Sequence, residues 1–82
     1  MFKKDVNVNV KSEDQVSPAA LVVQLAGKFS STIYIEYGTK KINAKSIMGV
    51  MTLPLTEGEL MTVTAVGKDE AEAVEEIVKF LG

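Results

Sequence analysis

Histidine, cysteine, arginine and tryptophan are all absent from this 82-residue sequence. Without cysteine there is no disulfide and no thiolate chemistry. Without histidine the chain has neither the commonest metal ligand nor the commonest general base, and no imidazole that could accept a phosphoryl group. All 9 basic residues are lysines, so no planar guanidinium can grip a phosphate or carboxylate with two parallel hydrogen bonds. The net charge of −2 argues against nucleic acid as a partner, because that role needs a clustered positive surface. No apolar run approaches the roughly 20 residues of a membrane span, and no secretory signal opens the chain. A cytoplasmic location, with no membrane attachment, is therefore expected. A chain of this length buries only about 60–65% of its unfolded surface. One domain over 1–82 is expected, with a modest core, no deep enzyme cleft, no cofactor and no catalytic role.

The remaining composition is that of a globular protein, 46% hydrophobic and 24% charged. Val6, Val8 and Val10 alternate with polar residues, which predicts a strand near 2–10 with one buried face. Residues 12–16 break that pattern. Ser17-Pro18 reads as a helix start, serine as the cap and proline in the first turn, and Leu21, Val22, Leu25, Ala26 and Phe29 supply an apolar stripe over 18–28. Gly27 is placed to help end that helix. Ile33, Ile35 and Tyr37 alternate along a second strand, 32–37. The Gly38-Thr39 turn then returns the chain as a third strand, 40–44. Ser46 precedes the apolar run 47–53, which Pro54 stops, predicting one or two helical turns. Gly58 marks a turn before a fourth strand over 60–66, where Met61, Val63 and Ala65 alternate with threonines. Asp69 and Glu72 stand at capping-box spacing ahead of a helix over 70–81. Its stripe is Ala71, Val74, Ile77, Val78 and Leu81, and its acidic first turn and late Lys79 suit the helix dipole. The order βαββαβα predicts an α+β fold with helices over one face of an antiparallel sheet.

Lys45-Ser46-Ile47-Met48-Gly49-Val50-Met51, preceded by Ile42-Asn43-Ala44, resembles the regulatory-serine segment of HPr, the phosphocarrier of the bacterial sugar phosphotransferase system. Pro18-Ala19, Val23-Gln24, Lys28-Phe29, Glu36-Tyr37, Gly67 and Asp69-Glu70-Ala71 are similar to the same family in register, so the resemblance spans the chain. It implies an open-faced β-sandwich, a four-stranded antiparallel sheet covered on one side by three helices. It also implies a departure. Where the family's active loop carries its phosphate-accepting histidine and the arginine partner, this chain has Gln15 and Ser17. Only Pro18 and Ala19 of that loop are kept. A carboxamide nitrogen is not a useful phosphoryl acceptor, Ser17 brings no positive charge, and Glu13 and Asp14 would repel an anion. Glutamine in place of histidine, with the Ser46 segment intact, is similar to the catabolite-repression HPr-like proteins of spore-forming Gram-positive bacteria.

The resemblance implies phosphorylation of Ser46 by an HPr kinase/phosphorylase-type enzyme. It also implies a partner-binding surface made by Ile47, Met48 and Met51 with Ala20 and Lys45. The partners implied are phosphotransferase components and a catabolite-control transcription factor, whose docking uses the arginine region that this chain lacks. Each of these residues also has a plainer reading. Gln15 fits a solvated loop. Ser46 fits a helix cap, which is compatible with modification. Ile47, Met48 and Met51 could be core, although a helix of one or two turns cannot bury every side. Ser12, Glu13 and Asp14 fit a solvated loop better than a metal or acyl-phosphate site, and no metal is expected. A substitute phosphate acceptor at Asp14 or Ser17, and a remnant that only docks on HPr partners, are the alternative functions. Lys45, with Lys40 or Lys41, is the expected source of positive charge beside a phosphorylated Ser46.

Overall fold

Alternation in the strand segments and three- and four-residue spacing in the helical ones produce seven elements in the computed structural model, which describes residues 1–10, 17–55 and 58–82. They are β1 (Phe2–Asn7), α1 (Pro18–Ala26), β2 (Thr32–Tyr37), β3 (Lys40–Asn43), α2 (Ile47–Val50), β4 (Leu60–Val66) and α3 (Glu70–Leu81). The strands form a four-stranded sheet in the order β1-β4-β2-β3, and every pairing is antiparallel.

Register separates the two faces of the sheet. Val6 lies opposite Met61, Ile33 opposite Ala65, and Ile35 opposite both Val63 and Ile42. Of these residues all but Ile42 are buried, and Ile42 packs against them. This face is the one the helices cover: α3 lies on β1, β4 and β2, α2 lies on β3, and α1 packs against both α2 and α3. The other parity carries Asp5, Thr62, Thr64, Tyr34, Glu36 and Lys41. These residues satisfy one another across the strands. The Thr62 hydroxyl donates to Asp5 at 2.7 Å, and the Lys41 ammonium lies 4.7 Å from the centre of the Tyr34 ring. Such a face is stable while exposed, because its polar groups have partners and its aromatic ring carries a cation.

Several local expectations are corrected. β1 ends at Asn7 rather than near 10, although Val8 keeps two backbone bonds, its N–H to Glu59 O and its carbonyl from Gly58 N–H. Asn9 then turns its N–H to Leu81 O at the end of α3. Helix α1 stops at Ala26, and the chain tightens into three-residue bonds from Lys28 to Leu25 and from Phe29 to Ala26. Gly27 closes it with right-handed geometry, so no left-handed cap is used. Ser17 is the residue before α1, yet its side chain makes no cap bond. Helix α2 covers Ile47–Val50 alone, with single turns carrying on to Leu53.

At α3 the expected reciprocal cap between Asp69 and Glu72 is not formed. Asp69 makes no side-chain cap bond, and Glu70 reaches back to Gly67 N–H at 3.2 Å instead. Ala73 is buried and Ala71 exposed, so the core stripe of α3 runs Ala73, Val74, Ile77, Leu81. No helix among the described residues is long and apolar enough to cross a membrane.

Candidate functional site: the turn into α2

Asn43 ends β3 and bends the chain into α2. Its side-chain oxygen accepts from Lys45 N–H at 2.9 Å, and its carbonyl accepts from Ser46 N–H at 3.0 Å. An asparagine that bonds the backbone two residues on is a common turn former. Ala44, between them, is buried, and its N–H goes back to Ile33 O at 2.9 Å. Ser46 thereby arrives with an extended backbone at the start of α2, where its Oγ accepts from Gly49 N–H at 3.3 Å. The cap reading of Ser46 is correct. The bond is long, and the residue remains exposed.

Gly49 allows α2 to lie close to β3. A Cβ at this position would come within 2.8 Å of Ile42 Cγ2. With Val50 fully buried beneath it, the helix turns its other side chains outward. Met48 is 80% exposed, Met51 66% and Ile47 42%, although all three are apolar. The core reading of these residues is therefore overturned, and Val50 alone anchors α2. Methionine side chains are flexible and polarisable, which suits a surface that must fit against another molecule.

Helix α1 packs beside α2; on it Ala20 is half-buried and Leu21 is exposed. The sequence places Leu21 in the core stripe. Ala19, Val22 and Ala26 are the buried residues of α1, at spacings of three and four, and Leu21 falls off that face. The same wheel, read strictly from Ala19, finds Leu21 in the sequence as an outward residue. Ser17 is exposed at the N-terminal end of α1. Ser12, Glu13, Asp14 and Gln15 lie outside the described residues.

The cations are arranged differently from the expectation. Lys45 is exposed, but its ammonium donates to the Phe29 carbonyl at 2.7 Å. Lys41 stands over Tyr34 on the uncovered face of the sheet, opposite the helices. Lys40 pairs with Tyr37 beside the β2–β3 turn, at the end of β3 away from α2. Neither is placed to neutralise an anion on Ser46.

The chemistry this geometry supports is limited. The hydrogen-bond partner of Ser46 Oγ is a backbone amide, and among the described residues no acidic or basic side chain is bonded to it. A serine hydroxyl is a weak nucleophile unless a base takes its proton. Among the described residues, Ser46 therefore has no bonded base that would make its hydroxyl a catalytic nucleophile. Among the described residues there is no group of three or more acidic side chains that could hold a metal ion.

Comparison with known proteins gives consistent results. The family described as "PTS HPr component phosphorylation site" matches residues 2–82. The HPr-like protein Crh of Halalkalibacterium halodurans is 47% identical over 81 residues, which covers 99% of this chain and 96% of that protein. The HPr-like protein Crh of Bacillus subtilis is 43% identical over 81 residues, 99% of this chain and 95% of that protein. The crystal structure of the phosphocarrier protein HPr from Bacillus anthracis superposes with a TM-score of 0.89 at 42% identity, covering 99% of this chain and 96% of that one.

Proposed function

Because the chain belongs to the HPr family of the phosphotransferase system, and carries no histidine, we propose that it is a regulatory member of that family rather than a phosphocarrier. It acts without catalysing a reaction. It is phosphorylated on Ser46, and it works by binding other proteins in carbon catabolite regulation. The observation that carries this reading is the exposed Ser46 hydroxyl, held at the start of α2 beside the outward Ile47, Met48 and Met51. Similarity to HPr-like proteins named Crh supports the same role.

In the modification, Ser46 Oγ forms a bond to the γ-phosphorus of ATP as the bond to the bridging oxygen breaks. ADP leaves, and the hydroxyl proton passes to a base of the kinase. The product adds close to two negative charges and three acceptor oxygens beside the exposed apolar side chains of Ile47, Met48 and Met51. A partner reads that charge together with Met48 and Met51, so affinity depends on both. The modifying enzyme is of the HPr kinase/phosphorylase type, and the downstream partners are phosphotransferase components or a catabolite-control transcription factor. Ser17 and Gln15, in place of the family's arginine and histidine, bias the chain away from phosphoryl transfer. The protein acts in the cytoplasm, with no part for nucleic acid or membrane.

The test is incubation with HPr kinase/phosphorylase and ATP, followed by mass spectrometry. One phosphoryl group is expected on the wild type and none on Ser46→Ala. No mass gain on the wild type, or an undiminished gain on Ser46→Ala, removes Ser46 from the function.

A further inference from the structure

Lys45 precedes Ser46 in the chain, yet its ammonium reaches the exit of α1. The backbone N–H of Lys45 is fixed by Asn43 at 2.9 Å, and its Nζ donates to the Phe29 carbonyl at 2.7 Å. Phe29 sits where α1 ends, its own N–H bonded to Ala26 O. The next residue, Ser30, is held through its N–H by the Asp69 carboxylate at 2.9 Å. The exit of α1 thus has one tie to the α2 turn, through Lys45, and one to the start of α3, through Asp69.

We infer that phosphorylation of Ser46 draws Lys45 off the Phe29 carbonyl and onto the phosphate, so that the modification is felt at the exit of α1 as well as on α2. This rests on the reading of Ser46 as the modified residue. The bond that breaks joins an ammonium to a neutral carbonyl at an exposed site, where water replaces it easily. The bond that forms joins the same ammonium to a near-dianion, and charge-assisted bonds of that kind are shorter and stronger. Reach is not an obstacle: adjacent Cα atoms stand about 3.8 Å apart, and the lysine stem is four carbons long. Among the described residues, Lys41 is on the opposite face of the sheet and Lys40 is beside the hairpin turn, so neither competes for the phosphate. Lys28 lies next to Phe29 in the chain, is exposed, and serves as the control. Once released, the Phe29 carbonyl loses its tie to the α2 turn, while the segment keeps its Ala26 bond, its packing on the core and the Asp69 contacts of Ser30 and Ser31, so the surface presented beside α2 changes locally in shape as well as in charge.

The experiment uses the full chain with phosphoserine installed at position 46 during translation, so that it does not depend on any kinase. The Phe29 carbonyl carbon shift and the Phe29 amide exchange rate are measured with and without the phosphate, in wild type, Lys45→Met and Lys28→Met. In wild type the phosphate should move the carbonyl resonance toward its position in unphosphorylated Lys45→Met and speed exchange by roughly threefold or more. In Lys45→Met it should add no further change, and Lys28→Met should respond as wild type does. An unmoved carbonyl in phosphorylated wild type, an equal move in Lys45→Met, or a response lost in Lys28→Met would overturn the inference. Failure of the kinase to modify Ser46 would instead overturn the proposed function and leave this result standing.

Discussion

The carboxylate of Asp69, at the start of α3, accepts from both the backbone N–H and the hydroxyl of Ser31, 38 residues earlier, with the N–H at 3.0 Å. Ser30 adds its own N–H to the same carboxylate at 2.9 Å. Asp69 thereby satisfies the donors of the α1–β2 connection, and Ser31, although polar, is buried without an unpaired group. This contact joins the first half of the chain to the last helix.

Acid should reveal that contact. The Ser31 hydroxyl, helped by the Ser30 and Ser31 amides, holds the Asp69 carboxyl down to about 2, from an ordinary value of 3.8. A carboxyl depressed by folding stabilises the folded state above its unfolded value, and that contribution disappears as pH falls through the folded value. Wild type should therefore lose part of its stability between about pH 4 and pH 2 that Asp69→Asn never had. Urea midpoints measured across that interval check this: parallel curves for the two proteins would show that the carboxylate adds nothing.

The approach of Gly67 to Ser31 predicts a graded pair of glycine substitutions. Gly67 has φ of 151°, and a Cβ there would come within 2.7 Å of Ser31 Cα. Gly38, at φ of 59°, has nothing within 4 Å of the same position. Gly38→Ala should destabilise by about 1 kcal/mol, from backbone strain alone. Gly67→Ala combines strain with a clash against backbone and should destabilise by roughly 2–4 kcal/mol. Equal losses in chemical denaturation would mean that the Ser31 connection yields easily.

Two neighbours on α2 should behave oppositely. Met48 is 80% exposed and Val50 fully buried. Met48→Ser should change stability by less than about 0.5 kcal/mol, whereas Val50→Ala should lose roughly 2 kcal/mol. If Met48 belongs to the contact surface, Met48→Ser should also lower the kinase's kcat/KM about fivefold or more, a loss of ~1 kcal/mol in transition-state binding. An unchanged kcat/KM would take Met48 out of that surface.

Phosphotransfer from phosphoenolpyruvate through the general phosphotransferase enzyme should yield no acid-labile, alkali-stable product, because the chain contains no imidazole. Gln15→His combined with Ser17→Arg should restore some acceptance. Stoichiometric acyl phosphate on Asp14 in the unaltered chain would reverse the assignment, and an inert double variant would show that Glu13, Asp14 and Val16 also matter.

Where periodicity is strong, sequence and structure agree closely. β2 at 32–37, β4 at 60–66 and α3 at 70–81 fall where the sequence predicts them, because each buries one regular face. Element ends agree less well. β1 stops at Asn7 although valines continue the alternation, since the chain there turns toward Glu59 and Leu81. The absence of histidine is a property of the sequence alone, and it excludes phosphoryl transfer to an imidazole of this chain whatever the fold. The serine cap on α2 was also legible, because a cap is a contact between residues three positions apart.

Other features were decided by tertiary structure. Local spacing assigns Asp69 to Glu72, yet the carboxylate turns to Ser30 and Ser31, where four donors from the α1–β2 connection outweigh one local amide. Lys45 and Lys41 are four residues apart, but one reaches Phe29 and the other Tyr34 on the opposite face of the sheet. Ile47, Met48 and Met51 are as apolar as Val50, and the approach of Gly49 to Ile42 puts only Val50 inside. The composition and order of residues set which contacts are chemically available. Which of them form depends on distances between elements that are far apart in the chain, and those distances exist only once the sheet and helices have packed.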